Sequence, residues 1–151
     1  MSNVSDVLDV MRLKLATLFP DKLEMSNPYS LEQNQSIILE NAYGVKVGPA
    51  SLVEGEFCNY SSQREIGIIL TAFCPKTDAD STPFIETTKS LLDDANTVVG
   101  NFMANNQLDV ENKIRILDFT NDSGISFVYG EKYSYLYIEL SFNLTTSEVY
   151  P

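Results

Sequence analysis

Histidine is missing from this sequence, and cysteine is scarce. The 151 residues include no histidine and only two cysteines, Cys58 and Cys74. Without histidine the chain cannot form a Ser-His-Asp triad or a Cys-His pair, and it lacks the commonest metal ligand and proton shuttle. Two cysteines alone make a poor zinc site and a thin disulfide framework. We therefore expect reduced thiols, with Cys74 as a small core residue in a strand, and neither a metal nor a cofactor.

Phosphate-binding loops and long apolar runs are also absent. The sequence contains neither G-x-x-x-x-G-K-[ST] nor G-x-G-x-x-G, which are the patterns of nucleotide-binding loops. No apolar run approaches the roughly 18 residues that a membrane helix requires. The start of the chain has no basic segment followed by an apolar block, so we expect no signal peptide.

Basic residues are few relative to acidic ones. The chain has 10 Lys and Arg against 21 Asp and Glu, a net charge of −11. This charge disfavours binding to the outside of nucleic acids and to anionic membranes. Carboxylates are plentiful enough for an acid/base pair, with Asp78 and Asp80 or Asp93 and Asp94 as candidates. The interpretation without a functional site is that the first pair lies in a polar connector and the second on a solvated helix face.

The clearest pattern predicts a strand over Tyr135–Leu144. Its residues alternate between an apolar row on one face and a mostly polar row on the other, which is typical of a half-buried strand. Two shorter apolar runs precede it, Lys113–Thr120 and Ile125–Tyr129. Short breaks separate the runs, at Asn121–Gly124 and Gly130–Lys132, and both contain a glycine. We therefore predict a three-strand antiparallel meander.

The rest of the chain predicts two helices and two strands in one domain, residues 1–151. Helical spacing indicates amphipathic helices over Ser5–Phe19 and Pro83–Ala104. A strand over Tyr43–Val47 is expected to end at Gly48-Pro49-Ala50, followed by a loop or an irregular hairpin end from Ser51 to Ser62. The run Arg64–Phe73 is apolar on both sides, which favours a central strand covered on both faces. The fold class is α+β, with a mostly antiparallel sheet of about five strands and both helices on one face.

The face of the sheet opposite the helices would then meet solvent or a partner. Tyr135, Tyr137 and Glu139 fall on that face of the last strand. Exposed tyrosines among polar residues are often ordinary surface, but tyrosine is also enriched where subunits meet. We therefore treat these three residues as a candidate subunit interface.

Taken as a whole, the chain resembles the tail terminator (tail completion) proteins of long-tailed bacteriophages. The resemblance spans most of the sequence and contains no catalytic signature. It is carried, in chain order, by the segments Leu15–Pro20, Asn27–Leu31, Gly44–Pro49, Arg64–Ala72, Asp122–Lys132 and Leu136–Glu139.

The resemblance implies a structural, non-enzymatic role in the virion. Such proteins form a ring, usually hexameric, that caps the finished tail tube, stops its polymerisation and presents a surface to the head connector or neck protein. The expected partners are other copies of the chain, the tail-tube protein and the neck, with the tape-measure protein as a further candidate. DNA would pass through an acidic lumen without specific binding, and the protein would be made in the bacterial cytoplasm and reside at the tail–head junction.

Four acidic residues are candidates for the lumen or for docking to a neighbouring ring: Glu54, Glu56, Asp78 and Asp80. All four are predicted to lie in loops. Two alternative functions stay open. One is another phage protein of the neck, head-completion or tail-tube type, on a similar scaffold. The other, from a different class, is a small acidic ligand-binding domain or enzyme that uses loop carboxylates.

Overall fold

The computed structural model describes the backbone of most of the chain. The described ranges are residues 3–31, 40–56, 59–74, 82–104, 107–110, 113–129 and 134–149. Side chains are described for residues 7–31, 40–51, 63–74, 82–104, 117–128 and 134–145.

Two long helices and seven strands make up the described part. In chain order they are α1 (Asn3–Leu18), β1 (Leu23–Glu24), β2 (Ala42–Glu56), β3 (Asn59–Phe73), α2 (Thr82–Ala104), β4 (Gln107–Val110), β5 (Lys113–Asp122), β6 (Ser126–Tyr129) and β7 (Ser134–Val149). The predicted α+β class is confirmed, and both helices begin and end close to their predicted bounds. The short strands β1 and β4 carry too few residues to show a period and were not predicted.

One mixed sheet contains all seven strands. Its order is β1-β2-β3-β7-β5-β4, and β6 pairs with β7 beside β5. The β1–β2 pair is parallel and the other pairs are antiparallel. The pairing of β3 with β7 runs from Asn59↔Val149 to Phe73↔Tyr135. Strand β3 therefore lies inside the sheet between β2 and β7, as its apolar residues on both sides predicted.

The predicted three-strand meander is wrong, because β5 and β6 do not pair with each other. Both run antiparallel to β7, β5 beside residues 140–146 and β6 beside residues 134–137. Between β5 and β6 the chain bends but does not reverse, so both strands run in the same direction along β7. Gly124 takes a φ of 72°, and its N–H donates to Asp122 Oδ1 at 2.8 Å. Ser123 keeps the path attached to β7, because its N–H donates to the carbonyl of Glu139 and its hydroxyl accepts the Glu139 N–H.

The predicted end of β2 at Gly48-Pro49-Ala50 is also wrong. The strand continues to Glu56 and pairs with β3 as far as Glu56↔Asn59. Of the two expectations for Ser51–Ser62, the irregular hairpin end fits this pairing and the loop does not. Proline has no N–H for the ladder and is tolerated on edge strands and at bulges. Here the register shifts between Val47 and Ala50, so the strand passes Pro49 through an irregularity.

The main core lies between the sheet and the two helices. The buried residues of both helices belong to one hydrophobic cluster with a single face of β2, β3, β5 and β7. The largest side chains with almost no exposure include Phe102 of α2 and Phe142 of β7, whose ring centroids are 5.8 Å apart. Cys74 follows β3 directly and is fully buried in this cluster. The apolar row predicted for β7 thus packs in the same cluster as the two helices. Its members are Leu136, Ile138, Leu140, Phe142 and Leu144.

A second, smaller cluster covers part of the opposite face. It joins Met25 to Ala42, Ile69 and Tyr135, with Leu31 packed against it. The face without helices is therefore divided: the chain that follows α1 covers one end, and among the described residues no segment packs over the other end.

Candidate functional site

The open end of the helix-free face contains a cleft of about 300 Å³. It crosses β2, β3 and β7, and we call it the cleft. Its lining includes the side chains of Tyr29, Lys46, Glu65, Glu139 and Ser141 and the backbone of Gly48 and Gly67. Its volume is at the lower end of the range for small-molecule pockets.

Strand register explains why a cleft forms here. Lys46, Gly67 and Ser141 are paired directly across the three strands, so they form one row on the same face. Gly67 has no side chain and Ser141 has a small one, which leaves a depression in the centre of the sheet. An added Cβ at Gly67 would lie 2.7 Å from Glu139 Oε1 and 3.1 Å from Lys46 Cε. A side chain at this position would force the flexible ends of Glu139 and Lys46 to move, so glycine leaves them a direct path across the strand.

An ion pair spans the depression. Lys46 Nζ lies 2.6 Å from Glu139 Oε1, and the two side chains are 35% and 25% exposed. Partial exposure keeps the free energy of such a pair within about 1 kcal/mol. Glu65, which is exposed, adds a second carboxylate to the same cleft. With two carboxylates and one ammonium among its described side chains, the cleft has a net negative charge.

Tyr29 forms one wall of the cleft and is held by local hydrogen bonds. Asn27 Oδ1 accepts the N–H of Tyr29 at 3.0 Å and that of Ser30 at 3.3 Å, which is an Asx-type turn. The turn places the Tyr29 hydroxyl 3.1 Å from the Val47 N–H, which donates to it on the outer edge of β2. The ring is still 64% exposed. It is thus a fixed aromatic surface beside a polar cleft.

The three predicted interface residues have different surroundings. Tyr135 was expected to be exposed, and that expectation is wrong: it is 6% exposed and belongs to the second cluster with Met25 and Ile69. Tyr137 is half-buried, with its ring centroid 6.5 Å from that of Tyr135. Glu139 lies in the cleft. Whether any of them contacts another subunit stays a prediction, for which Tyr135 is now the weakest candidate.

The four predicted loop acids are only partly described. Glu54 and Glu56 lie in strand β2 and not in a loop, and their side chains lie outside the described set. Asp78 and Asp80 lie outside the described residues. The second carboxylate pair separates on α2: Asp93 is exposed, whereas Asp94 Oδ2 lies 3.4 Å from Lys22 Nζ.

Lys22 is a buried cation that sequence reasoning missed. Its side chain is 6% exposed, and its ammonium donates to Asn41 Oδ1 at 2.7 Å and to the Thr71 carbonyl at 2.9 Å. Burial lowers the pKa of Lys22, opposed by the nearby charge of Asp94. A lone lysine after a helix gives no signal of burial in sequence. Its contacts join the segment after α1 to β3 and α2, so its role is structural.

The arrangement in the cleft is suited to holding a charged or polar group from outside. Within the described ranges, no three His, Cys, Asp or Glu side chains converge in a way that could hold a metal ion. Neither helix of that part is long and apolar enough to cross a membrane. The cleft offers an aromatic wall, a partly exposed ion pair and an additional carboxylate, which together fit a protein contact or a small polar ligand.

Comparisons with known proteins do not assign this chain to a family. No protein-family model matches it, and no curated protein matches it significantly.

Proposed function

We propose that this protein is a structural component of a bacteriophage virion that forms a ring, of six subunits by the resemblance, on the end of the tail tube. The ring would stop tube polymerisation and offer the surface on which head and tail join, and the protein would not be an enzyme. Partners under this proposal are further copies of the chain, the tail-tube protein and the neck protein.

The observation that carries the proposal is the open, polar end of the helix-free face. Both helices contribute to one core on a single side of the sheet, and in the described part of the chain the cleft side is accessible to another molecule. A closed ring requires that one surface of a subunit meet a different surface of its neighbour. The cleft and the helix layer are two such unlike surfaces on opposite sides of the sheet.

Charge supports the same proposal. A net charge of −11 keeps phosphates from adhering, which suits a channel that DNA must traverse. Within the described side chains the cleft adds local negative charge through Glu65 and Glu139. Acidic surfaces also repel each other, so ring formation should strengthen as salt concentration rises, because salt screens repulsion between exposed charges.

The first test is the mass of the protein by light scattering, alone and with purified tail-tube protein of the same virus. A ring in solution, or one that forms only on tube ends and halts their elongation, supports the proposal. A monomer that leaves tube growth unchanged contradicts it. In that case a ring formed with purified neck protein would favour the neck or head-completion alternative.

The ligand-binding alternative is favoured by one observation, the cleft itself. Its volume of about 300 Å³ is enough for a small polar molecule. Soaking crystals with a mixture of small polar compounds would test it, and an occupied cleft in a protein that stays monomeric would favour this class.

A further inference from the structure

The chain that follows α1 lies across the outer edge of β2. We call residues 23–31 the strap; they include β1, which pairs with β2 through two residues. The Leu23 N–H donates to the Asn41 carbonyl at 3.1 Å. The Met25 N–H donates to the Tyr43 carbonyl at 2.8 Å. Because this pairing is so short, side-chain contacts decide how firmly the strap is held.

The strap is packed apart from the main core. Met25 is its buried side chain, at 3% exposure, and it belongs to the second cluster. Leu23 and Tyr29 are exposed. Within the described residues, the main core has no member between Phe19 and Tyr43. The strap can therefore leave the sheet while the main core stays packed, and a segment with few buried apolar contacts opens at a lower free energy than the core.

Side-chain contacts hold the strap near both of its ends. Near its start, Glu24 accepts two hydrogen bonds from the Arg12 guanidinium of α1, at 2.6 and 2.7 Å. The Arg12 and Glu24 side chains are 49% and 35% exposed, so water competes for this pair and limits its strength. Near its end, the Tyr29 hydroxyl accepts the Val47 N–H at 3.1 Å on the edge of β2. Water can replace both contacts when the strap lifts, so opening leaves neither pair of groups buried without a partner.

Between these contacts the strap lies against β2 at Gly44. A Cβ added to Gly44 would lie 2.6 Å from Met25 Cγ and 3.0 Å from Pro28 Cβ. Glycine thus lets the strap lie directly on the strand. Since the strap is held near both ends and fits closely between them, we expect its residues to move together.

We propose that the strap opens and closes as one unit over a sheet that stays folded, and that its closure completes the cleft. In the closed position Tyr29 forms one wall of the cleft. In the open position that wall is gone, and the Val47 N–H and the Tyr43 carbonyl on the edge of β2 face water. A molecule that contacts Tyr29 in the cleft therefore binds the closed form and shifts the strap toward it. This inference does not depend on the proposed ring.

Native-state hydrogen exchange, followed by NMR at urea concentrations below the unfolding transition, tests the proposal. The three reporters are the N–H groups of Leu23, Met25 and Val47, and those of the buried residues Ile66 and Ile68 in β3 are the core reference. We expect the reporters to share one protection factor, the ratio of the exchange rate in an unfolded chain to the observed rate. It should be about 100-fold or more below that of the reference and nearly independent of urea, because opening of the strap exposes little surface.

Glu24→Gln and Asp9→Asn form a matched pair of variants. Each removes one negative charge beside Arg12, but Asp9 lies 3.5 Å from it within α1 and does not belong to the strap. Glu24→Gln should lower the protection of all three reporters by the same factor, about threefold to tenfold. Asp9→Asn should not lower it. Val47 is the decisive reporter, because it lies in β2 and contacts the opposite end of the strap from Glu24.

A core variant separates opening of the strap from unfolding of the whole chain. Val98→Ala shortens a fully buried side chain of α2, so it should lower the protection of the β3 reference by about tenfold or more. The reporters should keep their wild-type protection, because Val98 stays packed when the strap opens. Gly44→Ala crowds Met25 and displaces the strap by a second route, so it should lower the protection of the reporters at least as much as Glu24→Gln does.

Three results would overturn the proposal. Reporters with the same protection and urea dependence as β3 would show that the strap opens only when the whole chain unfolds. Val47 protection that Glu24→Gln leaves unchanged would show that the two ends of the strap move independently. Reporters without protection would show that the strap is not closed. Ring assembly is measured separately by light scattering, so none of these results decides the proposed function.

Discussion

Replacing the buried Lys22 with methionine should destabilise the fold. The ammonium joins the Asn41 side chain, the Thr71 carbonyl and the Asp94 carboxylate, at 2.7, 2.9 and 3.4 Å. Methionine has a similar length and can fill the same space, but it offers no donor. The Lys22→Met variant therefore removes these three interactions with little change in packing volume.

The loss in the free energy of unfolding depends on which of the three partners can form a hydrogen bond with water once the ammonium is removed. The Asp94 side chain is 28% exposed and the Asn41 bond is only partly buried, so both can regain water. The bond to the Thr71 carbonyl is buried, and a buried acceptor without a partner costs about 1–3 kcal/mol. Removing a buried charge returns part of that cost, since burial is the main cause of the lowered pKa of Lys22. We expect a net loss of about 1–2 kcal/mol in the free energy of unfolding.

Urea unfolding followed by far-ultraviolet circular dichroism measures this loss. The free energy of unfolding of a protein of this size falls by about 2 kcal/mol per molar urea, so the unfolding midpoint should fall by about 0.5–1 M. Lys89→Met, on the exposed side of α2, is the matched control and should change the free energy by less than about 0.5 kcal/mol. Equal midpoints for Lys22→Met and wild type would refute the view that the Thr71 carbonyl depends on Lys22.

The same lysine gives a prediction about pH. Its folded-state pKa is below the ordinary value of 10.5, so between the two values the unfolded chain holds more protons than the folded one. Stability then rises with pH through that window, and below it the fold carries the cost of burying the charge. Subtracting the Lys22→Met profile from the wild-type profile isolates this contribution, and a difference that stays flat up to pH 10.5 would contradict it.

Four further substitutions test local features of the sheet and of α2. Thr71→Val removes the hydroxyl that accepts the Ala42 N–H at 2.9 Å in a buried site, and it should lower the unfolding free energy by about 1–2 kcal/mol, measured by urea titration. Gly124→Ala places a side chain at a φ of 72° and should cost about 1 kcal/mol, whereas Gly100→Ala, on α2 with nothing within 4 Å, should gain about 0.5–1 kcal/mol in the same titration. Gly67→Ala should displace the ion pair that crosses the cleft, so a crystal structure of that variant with the 2.6 Å contact intact would count against the role of this glycine.

Periodicity was enough to predict the elements that form the main core. The row from Leu136 to Leu144 is buried, and so are four of the apolar positions of α2, because alternation and helical spacing report which side of an element avoids water. The apolar residues Ile85 and Leu92 of the same helix are about half exposed. Turn chemistry was less informative. Gly124 was expected to reverse the chain and instead kinks it, since a positive φ is compatible with both outcomes. Pro49 was expected to end β2, but an edge strand accommodates it at an irregularity.

The cleft could not be predicted because it depends on register between strands that are distant in sequence. Lys46, Gly67 and Ser141 become one row only when β3 pairs with both β2 and β7, and a shift by one residue would move each of them to the helix side. The two tyrosines were likewise predictable only in part. Alternation placed Tyr135 and Tyr137 correctly on the helix-free face, but the burial of Tyr135 comes from Met25, in a segment with no period to interpret. A pattern within one strand determines the face on which a residue lies, and whether that face is open depends on which other segments fold over it.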